Sequence, residues 1–148
     1  MKARKAISPD SRAIAELTVQ LGYSANVSEI GERLAKILPR DDCAVYVAED
    51  DDGMIIGWIQ THASYVLESG FRAEIVGLVV AENARRQGVG RILVRCAEEW
   101  AGECDADVIV VRSNTKRRES HLFYPSLGFQ PTKTQQVYRK KIVCGMNR

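Results

Sequence analysis

The residues best suited to chemistry lie between positions 74 and 91. A carboxylate opens the apolar stretch Glu74-Ile75-Val76-Gly77-Leu78-Val79-Val80, and a basic run follows, Arg85-Arg86-Gln87-Gly88-Val89-Gly90-Arg91. The stretch has the β-branched, apolar make-up of a strand. Beyond it Val89, Ile92, Leu93, Cys96, Ala97 and Trp100 recur at three- and four-residue spacing, which predicts one face of a helix. Gly88 and Gly90 are poor residues for a first helical turn. Two readings are open. Without Cβ atoms there, a pyrophosphate can reach the unpaired N–H groups and the positive end of the helix, with Arg85 and Arg86 beside it. Alternatively the glycines form only a tight strand-to-helix turn between surface arginines.

The string is not a P-loop, which needs G-x-x-x-x-G-K-S/T. It is not a dinucleotide fingerprint, which needs a third glycine where Leu93 stands. It resembles motif A of the GNAT superfamily, the GCN5-related N-acetyltransferases, whose signature Q/R-x-x-G-x-G/A stands here as Arg85-Arg86-Gln87-Gly88-Val89-Gly90. Ala73-Glu74-Ile75-Val76 is similar to the fourth strand of that superfamily. Ser120-His121-Leu122-Phe123-Tyr124-Pro125-Ser126-Leu127-Gly128-Phe129 resembles its motif B, A-x-x-F-Y-x-x-x-G-F, with Ser120 in place of alanine. The resemblance covers nearly the whole chain and is dense from Cys43 to Phe129.

The resemblance implies direct transfer of an acetyl group from acetyl-CoA to a primary amine, with no metal and no covalent enzyme intermediate. It assigns the pantetheine arm to the backbone of Leu78, Val79 and Val80. The pyrophosphate falls to Arg85, Arg86, Gln87, Gly88, Val89, Gly90 and Arg91, and a further cofactor contact to Asn114. Tyr124 is then the general acid and Glu74 the base. An alkylammonium near pKa 10 must lose a proton before it can attack. The alternative for Glu74 is a solvated carboxylate that at most attracts the cationic substrate. Arg117, in the run Lys116-Arg117-Arg118, either meets the 3′-phosphate of the cofactor or belongs to a solvated face. Pro125 removes a helical hydrogen bond and predicts a kink beside Tyr124. Gly77 predicts a bulge. Simple alternation puts Glu74 on one face with Val76, Leu78 and Val80.

For the acceptor, Tyr23, Glu29, His62 and Glu68, with Tyr65 and Tyr138, offer carboxylates and phenols suited to a cationic small molecule, polyamine-like or aminoglycoside-like. The layout around Leu21-Gly22-Tyr23 also resembles aminoalkylphosphonate-acetylating members, and a phosphonate calls for Arg72 or Arg112 in the pocket. A protein amine as acceptor, or a non-catalytic acetyl-CoA-binding regulator, are the other readings.

Composition limits the rest. The chain has 148 residues, 45% of them hydrophobic, with a net charge of +2. That predicts one domain over residues 1–148, with a fraying tail at 143–148, and no nucleic-acid partner. No apolar run is long enough for a membrane span, so a cytoplasmic protein is expected. The four cysteines form no C-x-x-C pair and only two histidines could join them, so no metal site is expected. The resemblance allows a homodimer.

Hydrophobic periodicity and turn residues predict strands at 3–7, 43–49, 55–64, 72–80 and 108–112, with two more from 129 and over 135–142. Helices are predicted at 8–22, 26–38, 88–103 and 116–127. The fold class is α/β (α+β), a mixed and mostly antiparallel sheet with helices on both faces. The order β-α-α-β-β-β-α-β-α-β-β is that of the GNAT fold.

Overall fold

The structure is a computed structural model that describes residues 1–114 and 116–143. The chain separates into two compact units, Met1–Arg112 and Ser113–Arg148. The first unit holds a five-stranded sheet in the sequential order β1-β2-β3-β4-β5. Its strands are β1 (Lys2–Lys5), β2 (Cys43–Glu49), β3 (Ile55–Val66), β4 (Gly70–Val80) and β5 (Ile109–Val111). Its helices are α1 (Ser11–Gln20), α2 (Val27–Ile37) and α3 (Val89–Glu103). All neighbouring strands are antiparallel except β4 and β5. Among the described residues no helix is long and apolar enough to cross a membrane.

The local signals account for most element ends. Ser8-Pro9 opens a 3-10 turn, Ser8–Asp10, rather than the first turn of α1. Asn26 caps α2 as its spacing to Glu29 predicts: its Oδ1 accepts from the Glu29 N–H at 2.8 Å and its Nδ2 donates to Glu29 Oε1 at 2.8 Å. Asp50 organises the β2–β3 turn by accepting from the N–H groups of Asp52 and Met54, both at 2.9 Å. The acidic run is therefore the tip of a hairpin.

Two cores lie on opposite faces of the sheet. On one face Ile14 and Leu34 pack with Val45 and Val47, joined by Ile30, Ile37 and Trp58. On the other Trp100 and Ala101 of α3 pack with Ala44, Ala63 and Ala73. The buried stripe of α3 is Val89, Leu93, Val94, Ala97, Trp100 and Ala101. It is rotated slightly from the expected face, and Ile92 and Cys96 sit at its half-buried margin.

The expectations for β5 and the C-terminus need correction. Residues 108–112 were expected as a strand, and an apolar one of this kind is ordinarily buried. Only Ile109–Val111 pair, all three are half-buried, and Val108 is exposed. Among the described residues no strand covers the outer side of β5, so an apolar run sits at an edge. The two strands expected after residue 129 do not form among the described residues; Val137, Tyr138 and Ile142 are exposed. Alternation in sequence makes a strand only where an edge receives it. Cys144 and the residues after it lie outside the described residues, so Cys43, Cys96 and Cys104, all half-buried, are the free cysteines described.

One ion cluster ties the N-terminus down. Arg4 donates to both oxygens of buried Asp10 at 2.8 and 2.9 Å and to Glu49 Oε1 at 2.6 Å. The Ile7 N–H donates to the same Asp10 carboxylate at 2.8 Å. The Arg4 bond holds the Asp10 carboxyl below its usual value. A carboxyl depressed in the folded state stabilises above its unfolded pKa, and that contribution disappears as pH falls through the folded value. Asp10→Asn should therefore lower stability at pH 7 by about 1–3 kcal/mol. In urea melts the gap between wild type and variant should close as pH falls from neutral to below the ordinary carboxylate range, where the depressed Asp10 carboxyl takes up its proton. A gap independent of pH would show that the cluster contributes packing only.

Candidate active site

The site is built on an irregularity in β4. Gln60 pairs with Gly77 and Thr61 with Ile75, leaving Val76 as one extra residue without a partner. This is the bulge that Gly77 predicts. Its cause is visible across the ladder. A Cβ on Gly77 would lie 2.8 Å from Cη2 and Cζ3 of Trp58, so the indole occupies the room a side chain would need. The Trp58 Nε1–H is buried without a hydrogen-bond partner.

The extra residue reverses the alternation. Cross-strand partners share a face, so Glu74 goes with His62, Gly77 with Gln60 and Val79 with Trp58. Ile75, Leu78 and Val80 pair with Thr61, Ile59 and Gly57 on the α3 face. The expectation that Glu74 shares a face with Leu78 and Val80 is thus wrong: the bulge turns Glu74 to the Trp58 face.

On that face Cys43, His62 and Glu74 form a row across β2, β3 and β4. Glu74 lies between two arginines. Arg112 Nη1 contacts its Oε2, and Arg72 Nη2 stands 3.9 Å from its Oε1. At the other end of the row Asp42 takes two hydrogen bonds from Arg40, at 2.8 and 2.7 Å, which hold its carboxyl at about 2. His62 Nε2 is 3.7 Å from Asp42 Oδ2. Asp42, Cys43 and His62 bring an oxygen, a sulfur and a nitrogen within 4.8 Å of one another, a grouping that cysteine spacing did not suggest. Burial pushes the Cys43 thiol up, away from the thiolate.

The other half of β4 is open on one side. β5 accompanies β4 only over Ala73, Glu74 and Ile75. Residues 76–80, with Leu78, Val79 and Val80 among them, have no strand on that side among the described residues. The chain then passes a 3-10 turn, Glu82–Ala84, and reaches Gly88, the N-cap of α3, at φ +84°. No side chain caps this terminus, so its first N–H groups, those of Val89, Gly90 and Arg91, remain available. Among the described residues, apart from its chain neighbours and the helix's own backbone, nothing lies within 4 Å of where a Gly88 Cβ would stand, and the left-handed backbone there favours glycine. Arg85, Arg86, Gln87 and Arg91 are exposed around it, and Gln87 Nε2 donates to the Asn83 carbonyl at 3.3 Å.

The remaining candidates are dispersed. Tyr23 is exposed in the α1–α2 loop. Glu29 is engaged in the α2 cap and pairs with Arg33 at 3.4 Å. Glu68 sits at the β3–β4 turn, roughly 20 Å along the strand from Glu74. Of the four acceptor candidates only His62 is adjacent to Glu74.

The second unit contains α4 (Arg118–Ser126). Asn114 Oδ1 accepts from the Lys116 N–H at 2.9 Å, which shapes the turn leading into the helix. Arg117 is the N-cap of α4, and Pro125, inside its last turn, has no N–H to return to the carbonyl four residues back. The Leu127 N–H still reaches the Tyr124 carbonyl at 3.0 Å. The Tyr124 ring packs edge-on against Phe123 and Phe129, at 5.0 and 5.6 Å between centroids. Burial raises its phenol pKa, against a smaller lowering effect of Arg117.

The sequence model of the acetyltransferase (GNAT) family matches residues 13–129. The chain belongs to the GNAT family. Among its relatives is an aminoalkylphosphonate N-acetyltransferase from Salmonella typhimurium, 34% identical over 80 residues, covering 53% of this chain and 52% of that protein. This GNAT chain thus spans about half the length of that relative. An aminoglycoside N(6′)-acetyltransferase from Serratia marcescens is 25% identical over 130 residues, covering 85% of this chain and 89% of that one. Among solved structures, an aminoglycoside N-acetyltransferase in complex with a bisubstrate analogue, CoA-S-monomethyl-acetylneamine, has a TM-score of 0.83 at 21% identity. It covers 95% of this chain and 98% of its own. That likeness establishes the GNAT fold.

The arginines around Glu74 and the bulge under Trp58 are what sequence reading of this GNAT chain could least provide. Gly77 flagged the bulge, but only the folded sheet shows Trp58 filling the space beside it. Gly77→Ala should cost about 1–3 kcal/mol, as a methyl group forced into a filled space does. The measurement is the urea midpoint at unchanged m-value. A loss below about 0.5 kcal/mol, within the range of an ordinary surface substitution, would mean that Trp58 moves aside freely.

Proposed function

We propose that this chain is an acetyl-CoA-dependent N-acetyltransferase that moves the acetyl group directly to the primary amine of a small molecule. One observation carries the reading. A single strand, β4, bears an inward carboxylate in its first half and an uncovered edge in its second, and it leads to an uncapped, glycine-started helix with arginines around it. Family membership supports the co-substrate, and relatives acting on small amines support the acceptor class.

Acetyl-CoA supplies the acetyl thioester. The N–H groups of Val89, Gly90 and Arg91, with Arg85, Arg86 and Gln87, hold its pyrophosphate. Asn114 and Arg117 are assigned further contacts with it. The open edge at Leu78, Val79 and Val80 pairs with its pantetheine amides as an added strand and offers an N–H to the negative charge growing on the carbonyl oxygen. Glu74 takes the proton from the acceptor ammonium, directly or through one water, and so exposes the lone pair. Tyr124, a phenol whose raised pKa keeps it protonated at neutral pH, returns a proton to the departing thiolate. The nitrogen loses its second proton as the tetrahedral adduct collapses, which restores the Tyr124 phenol, and Glu74 releases the first proton to solvent, so both groups are regenerated and neither step needs a metal. Tyr23 and His62 line the acceptor side in this reading, with Glu29 and Glu68 as outer attractors of cations.

The test is release of CoA thiol from acetyl-CoA over a panel of amines and peptides. Glu74→Gln and Tyr124→Phe should each lower kcat by about 10²–10⁴-fold while acetyl-CoA still binds by calorimetry. Release that depends on peptides alone would replace the small-molecule acceptor by a protein amine. Tight acetyl-CoA binding without release under any acceptor would favour a binding regulator.

The same proposal includes a cytoplasmic homodimer, supported by the family resemblance alone. Sedimentation at micromolar concentration should give twice the 16.5 kDa of the chain. A single species at 16.5 kDa would remove the dimer.

A further inference from the structure

Glu74 does not sit free to receive a proton. Its Oε2 is in contact with Arg112, and Arg72 approaches its Oε1 from the same strand face at 3.9 Å. Two cations on one carboxylate leave a local excess of positive charge. Glu74 and Arg72 are about three-quarters buried, so that excess is only partly screened by water. Arg72 also has a donor to spare: its Nε–H is buried and has no hydrogen-bond partner. An unmet guanidinium donor beside a shared carboxylate is a vacancy for an anion. A polycationic acceptor finds Glu74 already doubly engaged, and Asp42 at the far end of the row already paired with Arg40.

The cluster matches a molecule with one charge of each sign, and from it we infer that the acceptor is a zwitterion, a primary amine carrying a phosphonate, phosphate or carboxylate group. Its anionic group takes Arg112 and the free edge of Arg72. Its ammonium takes Glu74. The two ion pairs exchange partners, and no charge is left buried and unpaired. The exchange also removes Arg112 from the Glu74 oxygen that must accept the proton. Side chains paired across or along the strand stand about 5–7 Å apart, so about two or three carbons between amine and anion fit the span. This inference rests on the N-acetyltransferase reading and narrows its acceptor.

The experiment compares 2-aminoethylphosphonate, β-alanine, n-propylamine and neamine by CoA thiol release, in the wild type, Arg112→Gln and Arg112→Lys. Arg112 is about half exposed, so both variants should fold; circular dichroism checks this. The expected result is a kcat/KM for at least one zwitterion about tenfold or more above that of n-propylamine, carried by KM. Arg112→Gln should erase the advantage and Arg112→Lys should keep part of it. The phosphonate and carboxylate arms identify which anion is preferred. Methylphosphonate, which has no amine, should inhibit competitively and bind more tightly to Glu74→Gln, where Arg112 has lost its partner. Equal use of n-propylamine or neamine, or an equal loss for all four acceptors in Arg112→Gln, overturns the zwitterion while leaving the transferase standing. No thiol release with any of the four overturns the small-molecule reading and the zwitterion with it.

Discussion

The indole of Trp58 governs the geometry of the site. It fills the space in front of position 77, so that position carries no side chain, and β4 inserts Val76 as an extra residue at the same point. The extra residue reverses the phase along β4 and sets the face on which Glu74 appears. The departure of β5 after Ile75 divides the strand at the same point. The first half of β4 is held on both sides and carries charge. The second half is held on one side and offers backbone. Catalysis by a positioned amide edge needs such a division, because paired N–H groups have nothing to give.

The charge distribution follows the same division. Around Glu74 the cations come from neighbouring strand positions and converge on one carboxylate. Around Gly88 they come from a loop and surround a helix terminus that no side chain caps. The phenol of Tyr124 belongs to another element, α4, whose aromatic neighbours keep it apolar and therefore protonated.

Legibility in sequence tracked the range of the forces involved. Caps and turns rest on contacts within a few residues, as the Asn26 cap and the Asp50 turn do. The helix face of α3 was read nearly right, because periodicity is local, though its exact rotation depends on what the sheet presents. Gly88 was legible as a special position, and its positive φ agrees. Glu74 was legible as a candidate but its face was not, since one inserted residue reverses alternation and only the partner strand shows the insertion. Arg72 and Arg112 were visible as conditions for an anionic acceptor; that both meet at Glu74 depends on the parallel register of β5. The last two strands were misread because Val137 and Ile142 have strand chemistry without a paired edge among the described residues.

The opposite edge of the sheet behaves differently. β1 is Lys2-Ala3-Arg4-Lys5, three cations in four residues on an uncovered border. Arg4 is spent on Asp10 and Glu49, and Lys2 reaches Glu49 at 3.9 Å. The strand is short and its border is charged, so a second chain that tried to extend the sheet there would meet like charge within a few residues. The N-terminal border is in this sense insulated against aggregation, and encounters between copies at high concentration are directed to other surfaces of the molecule.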